Sequence, residues 1–139
     1  MVKVICAILF NSNGEILITR RFKGPYKGKW EFPGGKVEGI ESNHDCLHRE
    51  LSEELDVKVQ ILYKFTEFEY QYPGYGVNLI SYICSMSDQK IKLVDHDLHE
   101  WININDVDLF DFLSADDEIL NKLKNNSDFI LTKVSESFS

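Results

Sequence analysis

The stretch GGKVEGIESNHDCLHRELSEELDV, residues 34–57, sets seven carboxylates (Glu38, Glu41, Asp45, Glu50, Glu53, Glu54 and Asp56) against only Lys36 and Arg49 as full cations. Its second half has a helical period. Leu47, Leu51 and Leu55 recur at i, i+4 and i+8, which predicts a helix from Ser42 or Asn43 to Leu55. At 100° per residue, Glu50, Glu53 and Glu54 fall within about 100° of one another, beside the leucine stripe. Like charges at these spacings cost about 0.2–0.5 kcal/mol per pair, and the helix dipole disfavours anions in the last turns. Two readings stay open on spacing alone. The face is simply solvated, or a divalent cation draws the carboxylates together; a hard ion such as Mg²⁺ takes carboxylate and carbonyl oxygens and keeps waters and phosphates in its shell.

On the N-terminal side, VKVICAILF and the run after Asn13-Gly14 read as two strands joined by a hairpin turn. FKGPYKGKWEFPGG, rich in Gly, Pro and Lys, reads as a loop that carries basic and aromatic groups toward a site. Beyond the helix, VKVQILYKFTEFEYQY alternates, PGYG breaks it and VNLISYICSM resumes, so a mixed or antiparallel sheet is expected. HEWININDVDLFDFL holds a short strand and a loop. SADDEILNKLKN predicts a second helix with Ser114 as N-cap. The tail after about residue 126 is expected to add an edge strand or to fray.

The chain is of one-domain length, and a single domain over 1–139 is expected. A net charge of −8 repels a nucleic-acid backbone and an anionic membrane over most of the surface, so any phosphate must be met by a local cluster or a metal. Cys6, Cys46 and Cys84 share no metal-ligand spacing and fit reduced, buried thiols, and Val4 to Phe10 is too short for a membrane span. A soluble, cytoplasmic monomer or homodimer is the expectation. His44 and His48 have i, i+4 metal spacing but lie far around the helix from the glutamates and have no third partner, so they read as structural or surface residues. Cys46, with no base beside it, reads as packing.

Gly35, Glu41, Arg49, Glu50, Leu51, Glu53, Glu54 and Val57 reproduce the signature of the Nudix family: glycine, five residues, glutamate, seven residues, then Arg-Glu-apolar-x-Glu-Glu-x-Gly-apolar. Only the late glycine departs, being Asp56, at a helix end where a left-handed backbone suits glycine best and tolerates Asp. ITRR, WEFPGG, the strands around PGYG, HEW and SADDEIL extend the resemblance to the MutT-like branch over roughly residues 2–124. The resemblance implies an α/β/α sandwich around a central mixed β-sheet. It also implies hydrolysis of nucleoside diphosphates linked to another group, with Mg²⁺ or Mn²⁺.

Carried over position by position, the resemblance makes Glu50 and Glu54 metal-facing, Glu53 their neighbour, and Glu50 the base that activates water. Arg49 orients the glutamates, Glu41 belongs to the same catalytic set, and Gly34 with Gly35 brings a backbone carbonyl to the metal. The MutT-like branch adds an acid shortly before the tryptophan of HEW; Asp95 matches best, with Asp97 and Glu100 as competitors. Arg21 and Lys36 are candidates for phosphate contact, and Lys23, Lys27 and Lys29 either add a basic rim or are ordinary solvated lysines. Tyr72 and Phe32 either stack on a base or belong to the sheet's core. Asp116 matches a position that reads the base edge, where 8-oxoguanine-selective relatives have Asn. An ionised Asp only accepts hydrogen bonds, which favours a base with an amino group, such as cytosine. The implied activity is release of a monophosphate and pyrophosphate from CTP, dCTP or oxidised dGTP, in cleansing of the nucleotide pool. ADP-ribose or dinucleoside polyphosphate hydrolysis is the second expectation, with Pro73 as a weak pointer, and nucleotide sensing without turnover is the third.

Overall fold

A computed structural model describes residues 1–139. Its frame is one seven-stranded mixed sheet. The strands are β1 (Val2–Phe10), β2 (Ile16–Arg21), β3 (Trp30–Glu31), β4 (Gly34–Lys36), β5 (Gln60–Tyr72), β6 (Tyr75–Ser85) and β7 (His96–Ile102). The helices are α1 (Asn43–Leu55), α2 (Asp117–Asn125) and α3 (Ser127–Ser137), with 3₁₀ turns at Ile104–Leu109 and Ser114–Asp116.

β1 is the centre. It runs parallel to β6 from Val2↔Val77 to Phe10↔Ser85, and β6 forms a hairpin with β5 across Tyr72↔Tyr75. The parallel pairing follows from the long crossover through α1. Ile5 to Phe10 are all buried, the mark of a strand covered on both faces. Alternation sorts them: Cys6, Ile8 and Phe10 join Ile119, Leu123, Ile130 and Val134 of α2 and α3, whereas Ile5, Ala7 and Leu9 join Cys46, Leu47, Leu51 and Leu55 of α1. The result is an α/β/α sandwich. Each fully buried leucine of α1 contributes about 1.5–3 kcal/mol by leaving water.

The β1–β2 hairpin closes on Phe10↔Ile16, where Asn11 Oδ1 accepts the N–H groups of Asn13 and Glu15 at 3.0 Å and Gly14 takes φ +74°. Beyond that pair the two strands part. β2 pairs with β3 and β7, and β4 fills the gap by pairing antiparallel with β1 at Val4↔Lys36, Ile5↔Gly35 and Cys6↔Gly34. The sheet thus carries the two glycines to the end of α1.

α1 begins within the predicted bounds, at Asn43, and Ser42 caps it, its Oγ accepting the Asp45 N–H at 3.1 Å. It ends at Asp56, whose backbone is left-handed (φ 55°, ψ 43°) and whose N–H bonds Ser52 O at 3.1 Å.

Three expectations are corrected. Trp30–Glu31 and Gly34–Lys36, read as loop, are short strands, because their partners β2 and β1 supply the pairing that local composition does not. Ser114 caps nothing: a 3₁₀ turn precedes α2. The tail is neither an edge strand nor frayed but the helix α3, pinned by buried Ile130 and Val134 one turn apart. No helix is long and apolar enough to cross a membrane.

Candidate active site

Arg49 is the hub of the acidic cluster. Its Nε and Nη2 grip Glu41 bidentately at 3.0 and 2.7 Å, Nη1 reaches Glu50 at 2.9 Å and Glu53 at 3.2 Å, and Nη2 also donates to Lys36 O at 3.0 Å. Every N–H of the guanidinium therefore has an oxygen partner. Glu41 is held at about 2 by the Arg49 hydrogen bonds and by the Glu38 N–H, which donates at 2.8 Å. Charge repulsion in the cluster is thus relieved at Glu41, Glu50 and Glu53 by one cation.

Glu50 and Glu54 are treated differently. Burial pushes the Glu50 carboxyl up against the pull of Arg49. Its carboxylate lies flat against the backbone of Gly35, in space that a Cβ at that position would fill. Arg49 occupies Oε1, and Oε2 has no protein partner. Glu54 is pushed up to about 8, first by burial and then by the negative charges of Glu50, Glu31 and Asp95, and its Oε2 is buried with no hydrogen-bond partner. An orphaned buried carboxylate oxygen among like charges lacks both a partner and a countercharge, and a hard divalent cation supplies both. The side chains form no ready-made cage of three ligands. That suits Mg²⁺, which usually takes one or two carboxylates and completes its shell with water and phosphate.

Two cavities of about 210 Å³ each lie beside this cluster, one of them lined by Glu54. One is polar, lined by Glu54, Asp95, His96 and Lys23; the other is mostly apolar, lined by Tyr26, Tyr72, Tyr75, Phe32 and Asp116. Arg21, Glu31 and Gly34 line both, so the chambers adjoin across these residues. Glu31 clamps Arg21 through two bonds of 2.8 and 3.1 Å and meets His96 Nε2 at 3.0 Å. Burial alone raises the Glu31 carboxyl, but His96 and Arg21 outweigh it and leave it lowered.

The apolar chamber ends on Asp116, which is 5% exposed, with Oδ2 buried and unpartnered. Burial, with the charge of Glu31, pushes its carboxyl well above the usual range. Asp116 is positioned by the segment before α2, where Trp30 N–H bonds Asp111 O and Leu113 N–H bonds Trp30 O at 2.9 and 3.0 Å. The ring of Tyr72 is stacked on Tyr75 at 5.2 Å and lies 6.0 Å from the tilted ring of Tyr26.

The structure thus brings together Glu41, Arg49, Glu50 and Glu53 in one network, Glu54 and Asp95 in the polar chamber, and Arg21, Phe32, Lys36, Tyr72 and Asp116 around the apolar one. Of the competitors of Asp95, Asp97 is tied bidentately to Arg20 at 3.0 and 2.6 Å and Glu100 is exposed. Phe32 is only 4% exposed and packs on Phe112, so most of its ring belongs to the core. Gly34 lies so close to Ile5 O and the Cys6 Cα that no side chain fits there. His44 packs edge-on against Tyr82, away from the cluster. Sequence reasoning missed Glu31, His96 and Tyr26. The proximity of Glu31 and His96 follows from the register Thr19↔Glu31 and Arg21↔His96, which no local pattern encodes, and Tyr26 comes from the loop between β2 and β3.

The NUDIX domain family matches residues 1–123. Over 123 residues the chain is 30% identical to the 8-oxo-dGTP diphosphatase of Escherichia coli (strain K12), covering 88% of this chain and 95% of that one. Over 62 residues it is 42% identical to the CTP pyrophosphohydrolase of the same organism, covering 44% and 45% of the two chains. The solution structure of the E. coli ORF135 protein superposes with a TM-score of 0.79 at 25% identity, over 91% of each chain. The chain belongs to the Nudix hydrolase family, in its MutT-like branch of nucleotide pyrophosphohydrolases. Members of the family typically depend on a divalent metal.

Proposed function

We propose that this chain is a Mg²⁺-dependent nucleoside triphosphate pyrophosphohydrolase, converting a triphosphate and water to a nucleoside monophosphate and pyrophosphate. The observation that carries the reading is that an aromatic and a polar chamber adjoin at Arg21: a base fits the aromatic side, and its phosphates would lead past the guanidinium to Glu54 and Asp95. Mn²⁺ suits the same oxygen donors.

Glu54 and Asp95, with a carbonyl of the Gly34–Gly35 strand, would hold the cation, with Glu50 beside it. When bound, it lowers the pKa of water and offsets charge on the phosphoryl oxygens. Glu50, fixed through Oε1 by Arg49, uses its free Oε2 to take the proton of the attacking water. The water oxygen bonds to phosphorus as the phosphoanhydride P–O bond breaks, and the leaving oxygen carries the electron pair away. Glu41 and Glu53 fix Arg49 and so Glu50; Arg21 and Lys36 meet phosphate oxygens, and Tyr72 with the exposed edge of Phe32 packs against the base.

The burial of Asp116 alters the expected reading of the base. A neutral carboxyl offers an O–H donor beside a carbonyl acceptor, like the amide of Asn. Cytosine, with its N3 acceptor and N4 amino group, and 8-oxoguanine, with its O6 acceptor and N7–H, both complement that pair. Unmodified guanine, with acceptors at both O6 and N7, does not. The upward shift of the Asp116 carboxyl weighs against the ionised form on which the preference for cytosine rested, and so brings oxidised dGTP nearer to CTP and dCTP as a substrate.

The test is a screen of CTP, dCTP, 5-methyl-dCTP, 8-oxo-dGTP, dGTP, ADP-ribose and diadenosine polyphosphates, with and without Mg²⁺, with products resolved by chromatography. Mg²⁺-dependent monophosphate and pyrophosphate from a cytosine or 8-oxoguanine triphosphate is the expected result. Turnover of ADP-ribose or dinucleotides alone replaces the reading with the second expectation, and binding without turnover replaces it with the third.

A further inference from the structure

The charges of the polar chamber leave one cation without a partner. Arg21 is held by Glu31, and Glu54 and Asp95 face the cation site. Lys23 also lines the chamber yet makes no ion pair; its ammonium rests 5.4 Å from the centroid of the neighbouring Phe22 ring. The loop that carries it is anchored at its base, where Gly28 N–H bonds Arg21 O at 2.8 Å and Arg21 N–H bonds Lys29 O at 3.0 Å. The same loop places Tyr26 in the aromatic chamber, on the far side of Arg21. A single loop therefore addresses both ends of whatever spans the two cavities.

With the base against Asp116 and the chain of phosphates passing Arg21, the group furthest from the base enters a chamber whose other free charges are carboxylates. With Glu54 and Asp95 committed to the cation site and Arg21 held by Glu31, Lys23 is the full cation of that chamber still open to a terminal phosphate. An ammonium on a flexible stem is suited to that task, acting as a point charge toward phosphate oxygens.

We propose that Lys23 holds the pyrophosphate end of a nucleoside triphosphate, and so selects substrates by the number of phosphates they carry. The proposal rests on the triphosphate reading above. It adds a determinant of substrate length, outside the signature residues, to a site otherwise described through its metal and its base.

The test uses the full chain with excess Mg²⁺ and compares wild type, Lys23→Ala and Lys23→Arg. It measures kcat and KM for the triphosphate that turns over best, and inhibition constants for pyrophosphate and for the matching nucleoside monophosphate. Losing one charge-assisted hydrogen bond predicts that Lys23→Ala lowers kcat/KM and raises the inhibition constant of pyrophosphate by about tenfold each. The monophosphate constant stays within about twofold, and Lys23→Arg recovers most of the loss. Lys23 is exposed, so Tm is unchanged. Equal effects on pyrophosphate and monophosphate, or no effect on either, overturn the proposal while wild-type turnover keeps the underlying function intact. A wild type that hydrolyses no triphosphate overturns both, and is recognised before any variant is made.

Discussion

Two carboxylates on this chain do opposite things with the same chemistry. Glu50 is kept beside a cation and given an open oxygen, whereas Asp116 is buried with no cation bound to it. Glu50→Gln deletes the proton acceptor without changing size, and is expected to lower kcat by about a hundredfold or more with the fold intact by circular dichroism. Near-normal turnover removes Glu50 from the role of base. For Asp116 the sign is set by a folded-state pKa raised above the unfolded one. The acid costs nothing below its unfolded pKa, and stability is lost as pH rises toward the folded value. Asp116→Asn is therefore expected to raise Tm, little near pH 4 and most in alkaline solution, and to keep activity because the amide preserves donor and acceptor. A Tm difference independent of pH argues against the buried acid. The sequence marks both residues through the family signature and its extension, but not the upward shift of the Asp116 carboxyl, because burial is a property of the packed strands and not of the residue.

At the scale of elements, β4 shows why two adjacent glycines are not equivalent. A Cβ at Gly34 runs into the backbone of Ile5 and Cys6, whereas at Gly35 its nearest neighbours are the atoms of the Glu50 carboxylate, the far end of a side chain. Gly34→Ala is expected to destabilise the fold by about 2 kcal/mol or more through loss of the β1–β4 pairing. Gly35→Ala is expected to cost less stability but to lower kcat at least about tenfold by moving Glu50. Thermal melts and steady-state kinetics on the two variants separate these effects; the same pattern in both removes the distinction. α1 was legible in its bounds and its leucine stripe, because that period is local, whereas the cap bond of Ser42 emerged only in the structure. At its end, Asp56 holds the left-handed backbone that the departure from glycine anticipated, and Asp56→Gly is expected to add about 0.5–1 kcal/mol in denaturant unfolding. α3 was not legible. Phe129, Ile130 and Leu131 form an apolar, partly β-branched run that reads as strand, and only the cover offered to Ile130 and Val134 by the core makes it a helix.

For the whole molecule, the acidic cluster is a local cost that a bound cation converts into global stability. Mg²⁺ at a hundredfold excess over its dissociation constant is expected to stabilise the native chain by about 2.7 kcal/mol, seen as a rise in Tm over EDTA. Glu54→Gln is expected to shrink that rise; an unchanged increment places the cation elsewhere. The sandwich was legible as a class from the signature, while the path of β2 away from β1, which opens the two chambers, depends on pairings distant in sequence. The three cysteines share this layered plan. Cys6 sits in the core beneath α2 and α3, and Cys46 and Cys84 sit in the core beneath α1, none more than 5% exposed. The folded molecule therefore offers a thiol reagent almost no sulfur surface, and each labelling event times an opening of one side of the sheet. Three natural clocks, one on one side and two on the other, can report whether the layers breathe together or apart without adding any probe.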